Sequence, residues 1–329
     1  MQHSGWMQHE SARGHLIRSD RDNTLSRRVD HDSTRFTRLG PGMYVREDEW
    51  NDMFSEARLR TLATAVHARS TSPRSSTDSH CTAAAWHGLP LYMVPSSQID
   101  VIVSGKHPRR SSPGIRRHYC PLPEDDVVLI DGVRVTSLER TVYDVIRTVS
   151  LEAAVVVFDA ALRSIAWDDD SRTYDEPAAN RFRDAIWERI RAHAGARGIR
   201  QARFVAEFAD GRAQLPGESI VRLWLYQLGL PAPRLQYRID FPDGGFALLD
   251  FCWPGLRRWL EFDGVFKYTD SELMGGRTVD EVLADQELRE RRVRAATGWD
   301  CHRCGFREAR TLADFADYLR SIGLYPFLE

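Results

Sequence analysis

Residues 246–263, FALLDFCWPGLRRWLEFD, constrain the fold more than any other stretch. They read as two strands joined by a short PGLR loop at 254–257. A four-residue loop there sets Asp250 opposite Glu261. Side chains alternate between faces, so Asp263 joins Asp250 and Glu261 on one face. Leu249, Phe251, Trp253, Leu260 and Phe262 form the other, apolar face. Like charges directly opposite each other cost a few tenths to about 1 kcal/mol. A divalent cation held between them reverses that sign, and carboxylate oxygens suit Mg2+ or Mn2+. The plainer alternative is a solvated acidic sheet face.

The flanking elements are well punctuated. PGESIVRLWLYQLGLP (216–231) predicts a helix, opened by Pro216 and Glu218 and stopped by Gly229 and Pro231. Glu218 lies on the same side of that helix as Val221, Arg222 and Leu225. It is either a further acid for the sheet or a carboxylate favoured by the helix dipole. Strands are expected at 234–240, 246–253 and 258–263. A helix over 279–297 follows, with a Thr278–Glu281 capping box and Gly298 as its stop. A strand near 299–304 and a helix over 311–322 finish the chain. Arg289, Arg292 and Arg294 on the long helix are candidate phosphate contacts. The alternative for Arg289 is an ordinary surface pair with Asp285.

Of 45 basic residues only Lys106 and Lys267 are lysines. Lys267 follows the carboxylates, where a compact ammonium could orient a water or offset charge on a phosphate. Net charge is −2, which excludes a generally basic nucleic-acid binder. Residues 1–120 carry 17 basic and 12 acidic side chains, the remainder 28 and 35. The five cysteines are scattered and odd in number, as expected of reduced thiols. Cys301 and Cys304 sit three apart in an expected strand and face opposite sides, a poor zinc pair. Cys81, beside His80 and His87, shows no acid that would orient a nucleophilic relay. No apolar run reaches the roughly 18 residues of a membrane span, and the start of the chain lacks an apolar signal segment. A cytoplasmic protein without membrane contact is expected.

In the front half, residues 1–14 read as a disordered tail. FTRLGPGMYVR reads as a strand pair turning at GPG. A helix is expected at 53–68 and another from HCTAAAWHGL to Gly88. Strands are expected at 99–104, 114–120, 126–130 and 133–137, the last two joined by an Asp131-Gly132 hairpin turn. Helices over 138–146, N-capped by Ser137, and 151–165 follow. Arg140 and Asp144, one turn apart, form a stabilising pair. The acidic stretch 166–178 marks a domain boundary, and arginine-rich helices fill 179–209.

Five blocks carry a resemblance in the C-terminal half. ESIVRLWL (218–225), LGLPAPRLQ (228–236), DFCWP (250–254), EFDGVFKY (261–268) and RERRVRAATGW (289–299) resemble uncharacterised actinobacterial domains related to very-short-patch-repair endonucleases, within the PD-(D/E)XK nuclease superfamily. The resemblance implies catalytic and metal-holding roles for Asp250 and Glu261, with Glu218 as the helix glutamate. The superfamily lysine two positions after the second acid is replaced by Asp263, and Lys267 stands in for it. TRLGPGMYVR (37–46), SHCTAAAWHGLPLY (79–92) and DGVRVTSLERTVYDVIR (131–147) resemble AbiEi-type antitoxins of type IV toxin–antitoxin systems. Members join an operator-binding winged helix to an antitoxin domain.

Together the resemblances imply an α+β antitoxin-like module followed by an α/β restriction-endonuclease-like domain with a central mixed sheet flanked by helices. The expected divisions are a tail (1–14), a truncated winged-helix-like segment (15–50) and an antitoxin-like domain (51–165). A linker and helix (166–194) and an endonuclease-like domain (195–329) complete the chain. The implied function is Mg2+-dependent (or Mn2+-dependent) DNA cleavage, with DNA and a cognate toxin protein as partners. The alternative is a non-enzymatic antitoxin or DNA-binding regulator with a degenerate nuclease fold.

Overall fold

The computed structural model describes residues 16–18, 36–68, 76–103, 114–264 and 278–325. The tail at 1–14, both lysines and most of the loop after Asp263 lie outside the described residues. The chain is mixed α and β, and divides into two compact units, Met1–Ala209 and Asp210–Glu329. Among the described residues no helix is long and apolar enough to cross a membrane.

The first unit begins with β1 (Ile17–Arg18), β2 (Phe36–Gly40) and β3 (Met43–Arg46), an antiparallel sheet in the order β1-β3-β2. The expected turn at GPG holds, with Gly42 at φ 72. After helices α1 (Glu47–Asp52) and α2 (Ser55–His67) come β4 (Ser76–Asp78), α3 (His80–Trp86), β5 (Ile99–Val103), β6 (Ile115–His118), β7 (Val127–Ile130) and β8 (Val133–Thr136). The five strands form one mixed sheet in the order β6-β5-β4-β8-β7. β7 and β8 pair antiparallel across Asp131-Gly132, both residues at positive φ, as a two-residue hairpin turn requires. Ala63, Ala83, Trp86, Ile99, Val101 and Val135 pack a core of α2 and α3 against this sheet.

Helices α4 (Leu138–Ile146) and α5 (Leu151–Ala166) follow. Ser137 and Ser150 cap them by accepting the N–H groups of Arg140 and Ala153. Val155 to Phe158 of α5 are buried consecutively, so this helix is surrounded rather than laid on a surface. The expected linker is a small hairpin of β9 (Trp167–Asp168) and β10 (Thr173–Tyr174), ending at Asp175, which caps α6 (Glu176–Ala192). The unit closes with α7 (Ile199–Phe208). The boundary expected at 195 moves to 209/210 for a physical reason. Gln201 on α7 donates to the carbonyls of Ile146 and Val149. Gly198 lies where an added Cβ would sit 2.0 Å from the Arg147 carbonyl oxygen.

The second unit runs α8 (Pro216–Gln227), β11 (Arg234–Asp240), β12 (Phe246–Trp253), β13 (Arg258–Phe262), α9 (Val279–Thr297), β14 (Asp300–Cys304) and α10 (Leu312–Ser321). The sheet order is β11-β12-β13-β14, with β14 parallel to β13 and the other pairs antiparallel. The capping box at Thr278–Glu281 and the left-handed stop at Gly298 are both present. Leu249, expected on the apolar face, instead packs with Cys252, Trp259 and Val293 of α9, while Phe251, Leu260 and Phe262 are buried on the apolar face. Gly217 lets α8 approach that face: an added Cβ would sit 1.9 Å from the Phe262 ring. This contact brings the next residue, Glu218, down onto the sheet.

Candidate functional site

The hairpin register follows the expected loop length. Phe251 pairs with Leu260, Cys252 with Trp259 and Trp253 with Arg258. The ladder stops there, one pair short of Asp250 and Glu261. The N–H of Phe262, instead of joining the ladder, donates to Asp250 Oδ2 at 3.0 Å. On the other side of β12 the pairing with β11 skips the position of Gln236, which stands at φ 47. Asp250 thus sits where both neighbouring ladders open. A non-glycine residue in the left-handed region costs of order 1 kcal/mol or more, and such strain concentrates at functional sites.

Gln236 joins two of the expected acids. Its side-chain amide nitrogen lies 3.2 Å from Asp250 Oδ1 and 3.5 Å from Glu218 Oε2. Glu218 is 3% exposed and also accepts the N–H of Gln214 at 2.8 Å. Glu261 is buried, and Arg289 of α9 grips it with both ends of its guanidinium, Nη1 to Oε2 at 2.9 Å and Nη2 to Oε1 at 3.1 Å. Arg289 Nη2 also donates to the Leu248 carbonyl. Burial, reinforced by the Asp250 charge, pushes the Glu261 carboxyl up to about 7 against the pull of Arg289. The Arg289 cation is stabilised in turn: Glu261 outweighs the cost of its burial and raises its pKa. The like-charge problem posed by the hairpin is therefore met, in this structure, by a guanidinium.

The other expected residues fall around this centre. Asp263 occupies the position two beyond Glu261 and pairs with Arg303 of β14 at 3.2 Å. Arg303 is in register with Glu261 and also meets Glu290 at 3.4 Å. Lys267 lies outside the described residues. The three candidate phosphate arginines do not form one outward face. Arg289 turns inward to Glu261, while Arg292 reaches Asp243 at 2.6 Å and the Gly244 carbonyl at 2.9 Å. Arg294 is exposed beside Glu290 at 3.6 Å. Arg289 turns to Glu261 because a buried carboxylate gains more from a cation than an exposed one does.

Sequence reasoning missed Gln236, Arg289's inward turn and Arg303. Gln236 was within reach: a five-residue loop at 241–245 sets Asp240 against Phe246 and, by counting back, Gln236 against Asp250. Arg303 depended on a parallel pairing that no local pattern reveals. In the first unit, His118 Nε2 bonds Asp100 at 2.8 Å and stacks on His80 at 3.8 Å, a partnership the Cys81 motif did not show. Burial pushes the Cys81 thiol up to about 12 and lowers His80 to about 4, so neither is primed for nucleophilic chemistry at neutral pH.

Among the described residues no three His, Cys, Asp or Glu side chains stand together as a metal-holding group. A hard cation here would rest on the Asp250–Glu261 pair with water completing its shell. Mg2+ is commonly held in that way, by one or two carboxylates. The donor chemistry fits, provided Arg289 yields one Glu261 oxygen. Cys304 is buried and Cys301 half-buried on opposite faces of β14, so the zinc pairing stays unsupported.

No family model matches the chain. Two uncharacterised proteins of Mycobacterium tuberculosis, from strains CDC 1551 / Oshkosh and H37Rv, are each 34% identical to it over 136 residues. The match covers 41% of this chain and 45% of each relative, so it spans less than half the length of the curated relatives.

Proposed function

We propose that Asp210–Glu329 is a PD-(D/E)XK-type, metal-dependent phosphodiesterase core acting on DNA, joined to an antitoxin-like module. The observation that carries this reading is Gln236 joining Glu218 of the helix to Asp250 of the strand, with the Asp250 charge acting on the buried Glu261 of the next strand. The succession helix, three strands, helix, strand supports it. In this reading Asp250 and Glu261 hold Mg2+ or Mn2+, and Glu218 fixes Asp250 through Gln236. Lys267 positions the attacking water, and Asp263 assists by anchoring Arg303. Arg292 and Arg294 of α9 take phosphate contacts. The ion would supply an activated water and offset charge building on the phosphate.

The test is incubation of the full chain with Mg2+ or Mn2+ and supercoiled, linear or mismatched DNA. Cutting is expected, and is lost in Asp250→Ala and Glu261→Gln while both variants stay folded. DNA left intact in both metals sinks the reading.

The Arg289 clamp on Glu261 and the Asp263–Arg303 pair favour a second reading. There the nuclease fold persists as the binding module of a type IV antitoxin or transcriptional regulator, with operator DNA and a cognate toxin protein as partners. Operator binding without cleavage at any metal concentration is the outcome that selects it.

A further inference from the structure

We infer that Arg289 is a second cationic group of this site, in addition to the proposed Lys267, supplying from α9 charge that strand position 263 lacks. The inference rests on the phosphodiesterase reading and deepens it. A carboxylate stands at 263, and its partner Arg303 is drawn toward Asp263 and Glu290. Arg289 instead spans β12 and β13, bound to the Leu248 carbonyl on one and to both Glu261 oxygens on the other. The Trp259 ring lies 5.6 Å from its guanidinium carbon and is itself fully buried. Three bonds hold the group on Glu261 and Leu248, and an ion shared with Asp250 would take one Glu261 oxygen from it and leave the other two bonds in place.

A guanidinium carries five N–H donors and stays protonated throughout the working pH range. Three donors are engaged by Glu261 and Leu248. The second Nη1 hydrogen, on the edge of the guanidinium away from Leu248, is left to meet a phosphate oxygen. Arg289 would thus act as a fixed charge and hydrogen-bond donor, never as a proton source. It holds Glu261 in place before the ion arrives and shares the phosphate charge afterwards. Because it competes with the ion for Glu261, its removal should not weaken metal binding.

The experiment compares wild type, Arg289→Ala and Arg289→Lys as full chains, with Asp250→Ala as the control for the reading itself. Three quantities are measured: Mn2+ affinity by calorimetry, melting temperature, and DNA cleavage with and without millimolar guanidinium ion. Arg289→Ala is expected to lose about 100-fold or more in cleavage rate, as removal of one charge-stabilising donor commonly does. Its Mn2+ affinity is unchanged or tighter, and added guanidinium restores part of the rate. Arg289→Lys retains intermediate activity. Wild-type rates in Arg289→Ala overturn the inference and leave the nuclease reading standing. Loss of cleavage, metal affinity and melting temperature together, without rescue, also overturns it, by assigning Arg289 to the scaffold. If wild type neither cleaves nor binds Mn2+, both fall. Mn2+ binding gained only in Arg289→Ala shows a latch instead and overturns the catalytic role.

Discussion

Each unit sets an arginine among carboxylates, Arg140 buried and Arg289 half-buried, and the two clusters are balanced differently. In the first, Arg140 meets Asp126 at 3.2 Å and Asp144 at 2.8 Å. Arg189 adds a second guanidinium on Asp126, and Arg147 a second on Asp144. Burial opposes the Asp126 charge, but the two arginines win and its pKa falls below the ordinary carboxylate value. In the second, Glu261 has the Arg289 guanidinium, yet burial and Asp250 prevail and its pKa rises to about 7. The first cluster has cation to spare and works as a clasp between α4, α6 and the turn before β7. In the second, burial is the larger influence and holds the acid against its ordinary ionisation. Local fold strain follows the same division: Gln236 sits at positive φ in the second cluster, whereas the α4 residues of the first are regular helix.

The largest expected effect comes from breaking the balanced cluster. Arg140→Ala strips one of two guanidiniums from each of two buried aspartates, Arg189 and Arg147 remaining, and should cost about 1.5–3 kcal/mol. Denaturant unfolding should show that loss with no change in Mn2+ affinity. A cost under about 1 kcal/mol would erase the contrast between the clusters. Next in size is Gly217→Ala. Its Cβ would collide with the Phe262 ring, and overpacking of this kind costs about 1–3 kcal/mol. The shift of α8 should also weaken Mn2+ binding, because Glu218 moves with it.

The pH dependence separates the clusters by sign. Glu261 is raised from the ordinary 4.5 to about 7, so the folded state holds its proton longer than the unfolded state does. The associated stability is present below 4.5 and is lost as pH rises through 7. Asp126 is lowered, so its contribution is present above the ordinary value and is lost on acidification. Unfolding followed from pH 4.5 to 8 should show a declining contribution that Glu261→Gln removes and Asp126→Asn leaves in place. The smallest effect is Gln236→Gly. Relief of the left-handed strain should gain about 1 kcal/mol while Mn2+ affinity falls. Stability rising together with affinity would show that Gln236 plays no part in the site.

Much of the second unit was legible because its signals are local. The PGLR loop fixed the β12–β13 register, and Thr278, Glu281 and Gly298 fixed both ends of α9. Strict alternation did not carry through Asp250, because Leu249 packs with Cys252 and Trp259. What failed depended on partners distant in sequence. The ladder opens at Asp250 because a side chain, not a neighbouring carbonyl, captures the Phe262 N–H. Arg289 turns inward because a buried acid 28 residues away needs it, and α9 has too weak an apolar stripe to announce its inner face. In the first unit, the Arg140–Asp144 pair was readable from its one-turn spacing, whereas Asp126 and Arg189, the other half of the clasp, were not. The boundary moved to 209/210 because α7 is tied to the end of α4 by Gln201, a contact that composition does not encode.

The claim that the second cluster is built to accept a cation is tested most directly by titrating Mn2+ into the full chain at pH 8 and at pH 6. One site is expected at pH 8, weaker at pH 6 where Glu261 regains its proton, and absent in Asp250→Ala. Heat-silent titrations at both pH values, or equal affinity in Asp250→Ala, would contradict it.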